Sequence, residues 1–343
     1  MALTQLVGFG LGKQSAKGAA ATTFSVGRMT NSNTTPIWEE SQPSQGEHIG
    51  ISGRASLDTA AAFRIGYSVP IRAAWRMYPN MIGDALLLAG FTVSTGTVTD
   101  TAAYPHTFTL ADRKDALWGS VYHAVGEGTV GSGRYARTIK DVRFSSLGIT
   151  ASHTNGISVE AAGTGIQDAA SAASPTLNSE PTAIFSTSSG SLTSTGITNL
   201  SAAQTHKITI TNTLGEGERQ LHGFLLEDLP LINTSIAGEM QGMLWTEAQW
   251  KELLYASGTA PSSSTLTMPE TRLQWSFASN SLITGAAATK YSIAFDIAVA
   301  TVNLAAVDIA AGGLVRVNAA YKMIDRSASA PITITLVNGK SSY

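Results

Sequence analysis

Residues 142–161, VRFSSLGITASHTNGISVEA, carry the pattern that decides the fold. Val142 and Phe144 alternate at period two, and Leu147 and Ile149 then alternate in the opposite phase. Strict alternation marks a half-buried strand, and a one-residue slip of phase marks a β-bulge. After a turn at Gly156 the alternation resumes with Ile157, Val159 and Ala161. The same design returns at residues 302–321, VNLAAVDIAAGGLVRVNAAY. Val302 and Leu304 are followed, after the slip, by Val307 and Ile309, then by a Gly312-Gly313 turn and Leu314, Val315 and Val317. A bulged hairpin that occurs twice predicts a duplicated β-domain.

The elements before each hairpin fall in the same order. In the first half, residues 54–77 read as a long strand pair with Phe63, Ile65, Tyr67 and Val69 on one face. Pro79 suits a first helical position, Met81, Ile82, Ala85, Leu86 and Leu88 follow at helical spacing, and Gly90 suits the C-terminal stop, so a helix is predicted at about 79–89. Strands are predicted at 101–112 and 117–125, with a Gly-rich turn from Gly126 to Gly133. In the second half, strands are predicted at 207–214 and 221–229. A helix is opened by the Thr246/Gln249 capping box, favoured by Glu247 in its first turn, and ended at Gly258. Leu273–Phe277 and Tyr291–Ala298 read as the strands leading into the second hairpin. The expected architecture is mainly β: two tandem sandwich-like or partial-barrel domains, each with one short flanking helix. Their bounds are 1–165, with a long polar loop at about 29–52, and 166–325, opening on the Ser/Thr/Ala-rich stretch 163–204. Residues 326–343 form a C-terminal arm whose PITITLV run is expected to pair with a strand edge in the same chain or in a neighbour.

The composition narrows the function classes. Charged residues make up 13% of the 343, about half the usual share, and the net charge is −2, so the chain as a whole lacks the basic excess that holds phosphates. A surface so poor in charge is covered by copies of the same protein or is low-complexity loop. Cysteine is absent, which excludes disulfides, thiolate metal sites and a cysteine nucleophile. No run approaches the roughly 18 apolar residues of a membrane helix, and the N-terminus lacks a signal peptide's pattern, so a non-membrane, unsecreted protein is expected.

Chemical motifs are not found. GFGLGKQS fails as a phosphate loop, because Val7 stands where G-x-x-x-x-G-K needs its first glycine and no helix pattern follows Lys13. His48, His106, His123, His153, His206 and His222 are dispersed and form no metal-ligand spacing. Glu39-Glu40 and Glu227-Asp228 point apart on an extended chain and make no acid/base pair. No catalytic, cofactor-binding or metal-binding residue is therefore expected, and no enzyme activity. Trp38, in the long polar loop, is expected to dock on something.

Three stretches resemble the tail tube proteins of long-tailed bacteriophages: LVGFGLGKQSAKGAAATTFSV at the start, RIGYSVPIRAAWRMYPNMIGDALLLAG followed by YPHTFTLAD, and RYARTIKDVRFSSLGITASHTNGISVEAAG. Together they span roughly the first half of the chain. The second half lacks the His-Thr-Phe piece and matches through its helix and hairpin. The resemblance implies a virion structural protein, made in the host cytoplasm, whose long hairpins join those of neighbours in a barrel around a channel. Rings in that family hold six tube domains, so a chain with two would form a ring of three copies. The implied partners are the chain itself, the tape-measure protein, DNA passing through the lumen without tight binding, and the tail terminator and baseplate proteins. Ser158 and Glu160, with Arg316 and Asn318, are the residues expected on the channel side, an outer solvated face being the alternative. Other readings are a tail terminator or baseplate hub on the same fold, or a β-rich carbohydrate- or receptor-binding module. The latter calls for clustered exposed aromatics, whereas Trp38, Trp75, Trp118, Trp245, Trp250 and Trp275 are spread along both halves.

Overall fold

A computed structural model describes residues 8–34, 37–41, 63–98, 100–112, 116–130, 132–170, 175–181, 183–195, 197, 203–215, 228–244, 246–255, 270–309, 315–326 and 330–343. In chain order the first half runs β1 (Gly8–Lys13), β2 (Thr23–Gly27), β3 (Met29–Asn33), β4 (Ile37–Ser41), β5 (Phe63–Arg76), α1 (Met81–Leu88), β6 (Phe91–Thr95), β7 (Tyr104–Leu110), β8 (Gly119–Val130), β9 (Ser132–Ser152) and β10 (Gly156–Gly165). Then follow β11 (Gln167–Ala170), β12 (Thr176–Ser179), β13 (Phe185–Ser194), β14 (Thr205–Leu214), β15 (Leu231–Leu244), α2 (Glu247–Tyr255), β16 (Glu270–Leu282), β17 (Lys290–Ile309), β18 (Val315–Met323) and β19 (Ile332–Asn338). The fold is mainly β, as the alternation predicts.

Two strands do double duty. The C-terminal part of β9 pairs with β10 and β14, while its N-terminal part pairs with β8 and β11. The later part of β17 pairs with β18, while its earlier part pairs with β16 and β19. These long strands pass from one sheet to another and divide the structure into three. One continuous antiparallel sheet runs β3/β4–β5–β10–β9–β14–β15–β18–β17, eight positions wide with β3 and β4 sharing the first. A second sheet, β12–β2–β1–β8–β9–β11, covers part of it. The third, β13–β16–β17–β19–β7–β6, draws strands from both halves.

The core lies on one side of the common sheet. Val69, Ile71, Ala73 and Trp75 of β5 alternate inward, as do Ile157, Val159 and Ala161 of β10, Leu147 and Ile149 of β9, and Ile208 and Ile210 of β14. Fully burying each large apolar side chain contributes about 1.5–3 kcal/mol, so this one-sided pattern fixes every register it touches. Helix α1 is buried on all sides, which its apolar sequence requires, and packs on β1, β2, β6 and β9.

The turn from one sheet into the next has a local cause in β9. Asp141 takes φ +54, a left-handed conformation that a short polar side chain tolerates, and its Oδ1 accepts the Gly18 N–H at 2.6 Å. Two residues on, Arg143 is buried with its guanidinium 3.8 Å from the centre of the Trp118 ring. It donates to the carbonyls of Leu229 (2.5 Å) and Ala116 (2.8 Å), so the bend is fastened to the second half of the chain. Asn212 of β14 adds a second fastening, donating to Ala89 O at the end of α1 and to Phe144 O while accepting from Thr234.

Several expectations need correction. Of the predicted strand pair at 54–77, residues 63–76 form the long strand β5, and residues 54–62 lie outside the described residues. The polar stretch 29–52 holds two strands, β3 and β4, both laid on β5; the remainder from residue 42 lies outside the described residues. The Gly-rich turn at Gly126–Gly133 is mostly strand, since β8 runs to Val130 and β9 begins at Ser132. The capping box at α2 is half made. Thr246 Oγ1 accepts the Gln249 N–H at 3.3 Å, but the Gln249 side chain turns into the core, with Nε2 3.4 Å from Met243 Sδ. Of the strand expected at 221–229, residues 228 and 229 are irregular; the rest, like Gly258, the Gly312-Gly313 turn and the Trp38 side chain, lies outside the described residues. The C-terminal arm pairs in cis: β19 lies between β17 and β7 and joins the two halves.

Candidate functional site

Both phase slips are bulges in the structure, at the residues that the alternation marks. In the first hairpin Phe144 pairs with Gly163 and Ser146 with Ala162, leaving Ser145 as the extra residue. In the second, Leu304 pairs with Ala319 and Ala306 with Asn318, leaving Ala305 extra. Ser145 Oγ donates to Ala162 O across the gap (3.2 Å). A bulge adds local twist and bends its strand. Both therefore bend the same broad sheet, one at each of its hairpins.

The pairing around the hairpins also repeats. In the first half β5 pairs with β10, β10 with β9, and the early part of β9 with β8. In the second, β15 pairs with β18, β18 with β17, and the early part of β17 with β16. Each set has its helix directly after the β5 or β15 strand. The two sets meet where β9 pairs with β14, from Thr205↔Ser152 to Thr211↔Ser146. The outer margins of the combined sheet are β3/β4 on one side and residues 302–309 of β17 on the other. Among the described residues neither has a second partner.

The face of this sheet turned away from the core is polar and built of small residues. Cross-strand partners share a face, so one row runs Arg76, Ser158, Thr150, Lys207, Glu239, Ala320 and Asn303. Ser158 and Glu160 are exposed on this face, and Arg316 and Asn318 share it. Both of the latter reach the irregularity inside β15 between Met240 and Met243: Arg316 Nη1 donates to Gly242 O, and Asn318 Oδ1 accepts the Gly242 N–H, each at 2.9 Å. The four residues expected on one side of the wall thus stand on one side of one sheet.

That face is charged. Arg72, Arg76, Lys207, Arg316 and Lys322 stand on it with Glu160 and Glu239, and the register sets Asp308 opposite Arg316 and lays Glu39 and Glu40 along β5, so the sheet brings residues of both signs together. Of these cations only Arg316 is picked out from the sequence. Their positions alternate with the core residues of β5, β14 and β18, but only the register between strands gathers them on one surface. A shallow groove of about 450 Å³ lies among Arg72, Asn31, Glu160 and Lys207.

Away from the sheet face, a buried polar cluster ties the C-terminal residues to α1. Asp84 is buried, accepts from Ser25 Oγ at 2.5 Å and pairs with Lys340 Nζ at 2.8 Å. Burial pushes its carboxyl up, against the pull of Lys340. Glu180 accepts the Asn80 N–H at 3.0 Å, serving as a distant N-cap where the Asn80 side chain makes no capping bond, and burial raises its pKa to about 8. The Tyr343 hydroxyl donates to Asn80 O (2.9 Å) and accepts from Asn338 Nδ2 (2.6 Å). Lys13, excluded above from a phosphate loop, donates to Tyr343 O and lies in a strand.

The described histidines stay apart. His106 is buried between Thr95, Asn338 and the Lys340 carbonyl. His123 lies beside Thr34, His153 is exposed at a hairpin tip, and His206 is buried beside Tyr321. His48 and His222 lie outside the described residues. Among the described residues no three His, Cys, Asp or Glu gather as a metal site, and no helix is long and apolar enough to cross a membrane. No protein-family model matches the chain, and no curated protein matches it.

Proposed function

We propose that this chain is the major subunit of a phage tail tube, carrying two copies of the tube domain and closing a ring as three chains around a central channel. The observation that carries the reading is the relation between the internal β9–β14 junction and the two free margins of the same sheet. By the repeat of pairing, β17 corresponds to β9, and β3/β4 corresponds to β14. The margins of one chain are therefore shaped to meet those of the next as its own two halves meet. Closure removes the unpaired edges that would otherwise template aggregation, and bulged, twisted strands are what a closing barrel needs.

The junction has a definite register. Ser146↔Thr211 is a pair within the chain. Ser145 corresponds to Ala305, so Ser146 corresponds to Ala306. Carrying Thr211 across the β14–β15 and β4–β5 pairings places it at Glu39. Ala306 of one chain therefore pairs with Glu39 of the next. Directly opposed residues of an antiparallel pair have Cβ atoms about 4.5–5.5 Å apart, beyond most disulfides but within the span of a short bifunctional thiol cross-linker. The chain has no cysteine of its own. An Ala306→Cys/Glu39→Cys double variant, assembled and treated with such a cross-linker, should run as a closed covalent trimer on a denaturing gel. Assembled material that stays monomeric after treatment, while a single-cysteine control is modified, counts against this junction.

The polar, small-residue face forms the channel wall in this reading, with the tape-measure protein and then DNA passing along it. Acidic residues among its cations, Glu160 and Glu239, suit passage without tight binding, because only cations facing a phosphate strengthen binding.

A further inference from the structure

A cavity of about 340 Å³ opens between β14 and the tip of β9 on one side and β13 and β16 on the other. Its lining includes Trp275, Phe277 and Leu192, with Ser152, Thr187 and Ser191 among the polar groups. Among the described residues no Asp, Glu, Lys or Arg lines it. A volume near 300 Å³ is the lower range for a small-molecule site, and here an aromatic floor is ringed by hydroxyl, amide and imidazole groups.

His206 also lines this cavity, and proton counting fixes what it offers. The Tyr321 hydroxyl has one proton, which it donates to Lys207 O at 3.2 Å. It must then accept in its 2.9 Å contact with His206 Nε2, so that nitrogen carries the imidazole hydrogen. Burial holds His206 neutral, lowering its pKa to about 4. Nδ1 is consequently a bare acceptor with no partner among the described residues. The ring orientation is held by Trp275, edge-on at 4.7 Å, and by Tyr321, stacked at 5.7 Å. Trp275 is in turn stacked on Phe295 at 5.0 Å.

We propose that this cavity is a binding site for a small neutral molecule with a flat apolar body and one hydroxyl or N–H donor, the donor bonding to His206 Nδ1. His153 stands exposed at the edge of the lining, and no Asp, Glu, Lys or Arg is among the described lining residues to offset the desolvation of an ionic ligand. The aromatic floor suits a ring, and the unfilled acceptor favours a molecule that brings a donor over one that does not. The inference does not depend on the tube reading.

The test compares p-cresol with toluene, which differ by the hydroxyl, by calorimetric titration and saturation-transfer NMR on the intact chain. The expected result is saturable p-cresol binding about three- to tenfold tighter than toluene, the net worth of one hydrogen bond. His206→Phe should abolish that preference. Ser188→Trp, an exposed position at the mouth, should block both ligands without touching the core. Equal affinity for the two probes, no saturable binding of p-cresol, or binding unaffected by Ser188→Trp would each overturn the proposal.

Discussion

Ser145 and Ala305 hold the same position in two separate hairpins: each is the one residue without a cross-strand partner, and each lies where its long strand enters the broad sheet. Removing either should straighten that strand. Deleting Ser145 leaves Phe144 inward, Ser146 outward and Leu147 inward, so alternation becomes regular without exposing core. Both deletion variants should therefore fold, with melting temperatures within a few degrees of the parent by calorimetry. They should fail to form tubes by electron microscopy, and normal tubes from either would make the bulge incidental.

Glu180 gives stability a pH dependence of unusual sign for a carboxylate. Its folded-state pKa is raised from 4.5 to about 8, chiefly by burial and also by the neighbouring Asp84, with Lys340 and the Asn80 and Met81 N–H groups pulling the other way. A raised carboxyl favours the folded state when protonated. That contribution is complete below about pH 4.5 and is lost as pH rises towards 8. Urea midpoints measured across this window should fall with pH, and Glu180→Gln should flatten the slope. A Glu180→Gln protein with an unchanged slope would contradict this assignment.

Asp100 acts in the opposite direction. It accepts from the N–H groups of Ala287, Ala288 and Thr289 and from Thr289 Oγ1, at 2.9–3.1 Å, and these bonds hold its pKa down to about 2. A depressed carboxyl stabilises above its unfolded value of 3.8 and loses that contribution as pH falls towards 2. The contact joins the β6–β7 loop of one half to the β16–β17 turn of the other. Asp100→Ala should speed hydrogen exchange at the amides of 287–289 and leave the α1 amides unchanged.

Tyr343 fills the space over Gly83, where an added Cβ would come within 2.3 Å of its ring, and packs edge-on to His106 at 4.8 Å and Phe108 at 5.6 Å. Tyr343→Ala should cost about 2 kcal/mol in urea unfolding, somewhat under the usual loss for a fully buried aromatic because the ring is partly buried. Gly83→Ala should destabilise through the same contact, because the ring must move. A Tyr343→Ala loss below about 0.5 kcal/mol would mean the C-terminal residues are not a structural latch.

What could be read in the sequence follows from what is local. The phase slips at Ser145 and Ala305 show because large apolar residues flank them, and α1 shows because Pro79 and Gly90 punctuate a helical stripe. The margin strands β3 and β4 do not, since Met29–Asn33 is polar with no inward alternation, as suits the edge of a sheet. Pairing of β19 with β7 joins residues far apart in the chain, and no local pattern specifies that partner. The charged face is hidden for the same reason: Arg72, Lys207 and Lys322 meet only through the register of strands between them. The Asp84–Lys340 pair and the His206 cavity likewise need the whole fold before their groups converge.

The central claim is that three chains, each contributing the β3/β4–β17 span of one sheet, close a ring. Cryo-electron microscopy of tubes assembled from the purified protein tests it most directly. The account predicts three chains per ring, a central channel walled by the face bearing Arg72, Glu160, Lys207 and Arg316, and β17 paired to β3/β4 of the adjacent chain. Six chains per ring, or a protein that stays a compact monomer under all assembly conditions, would contradict it.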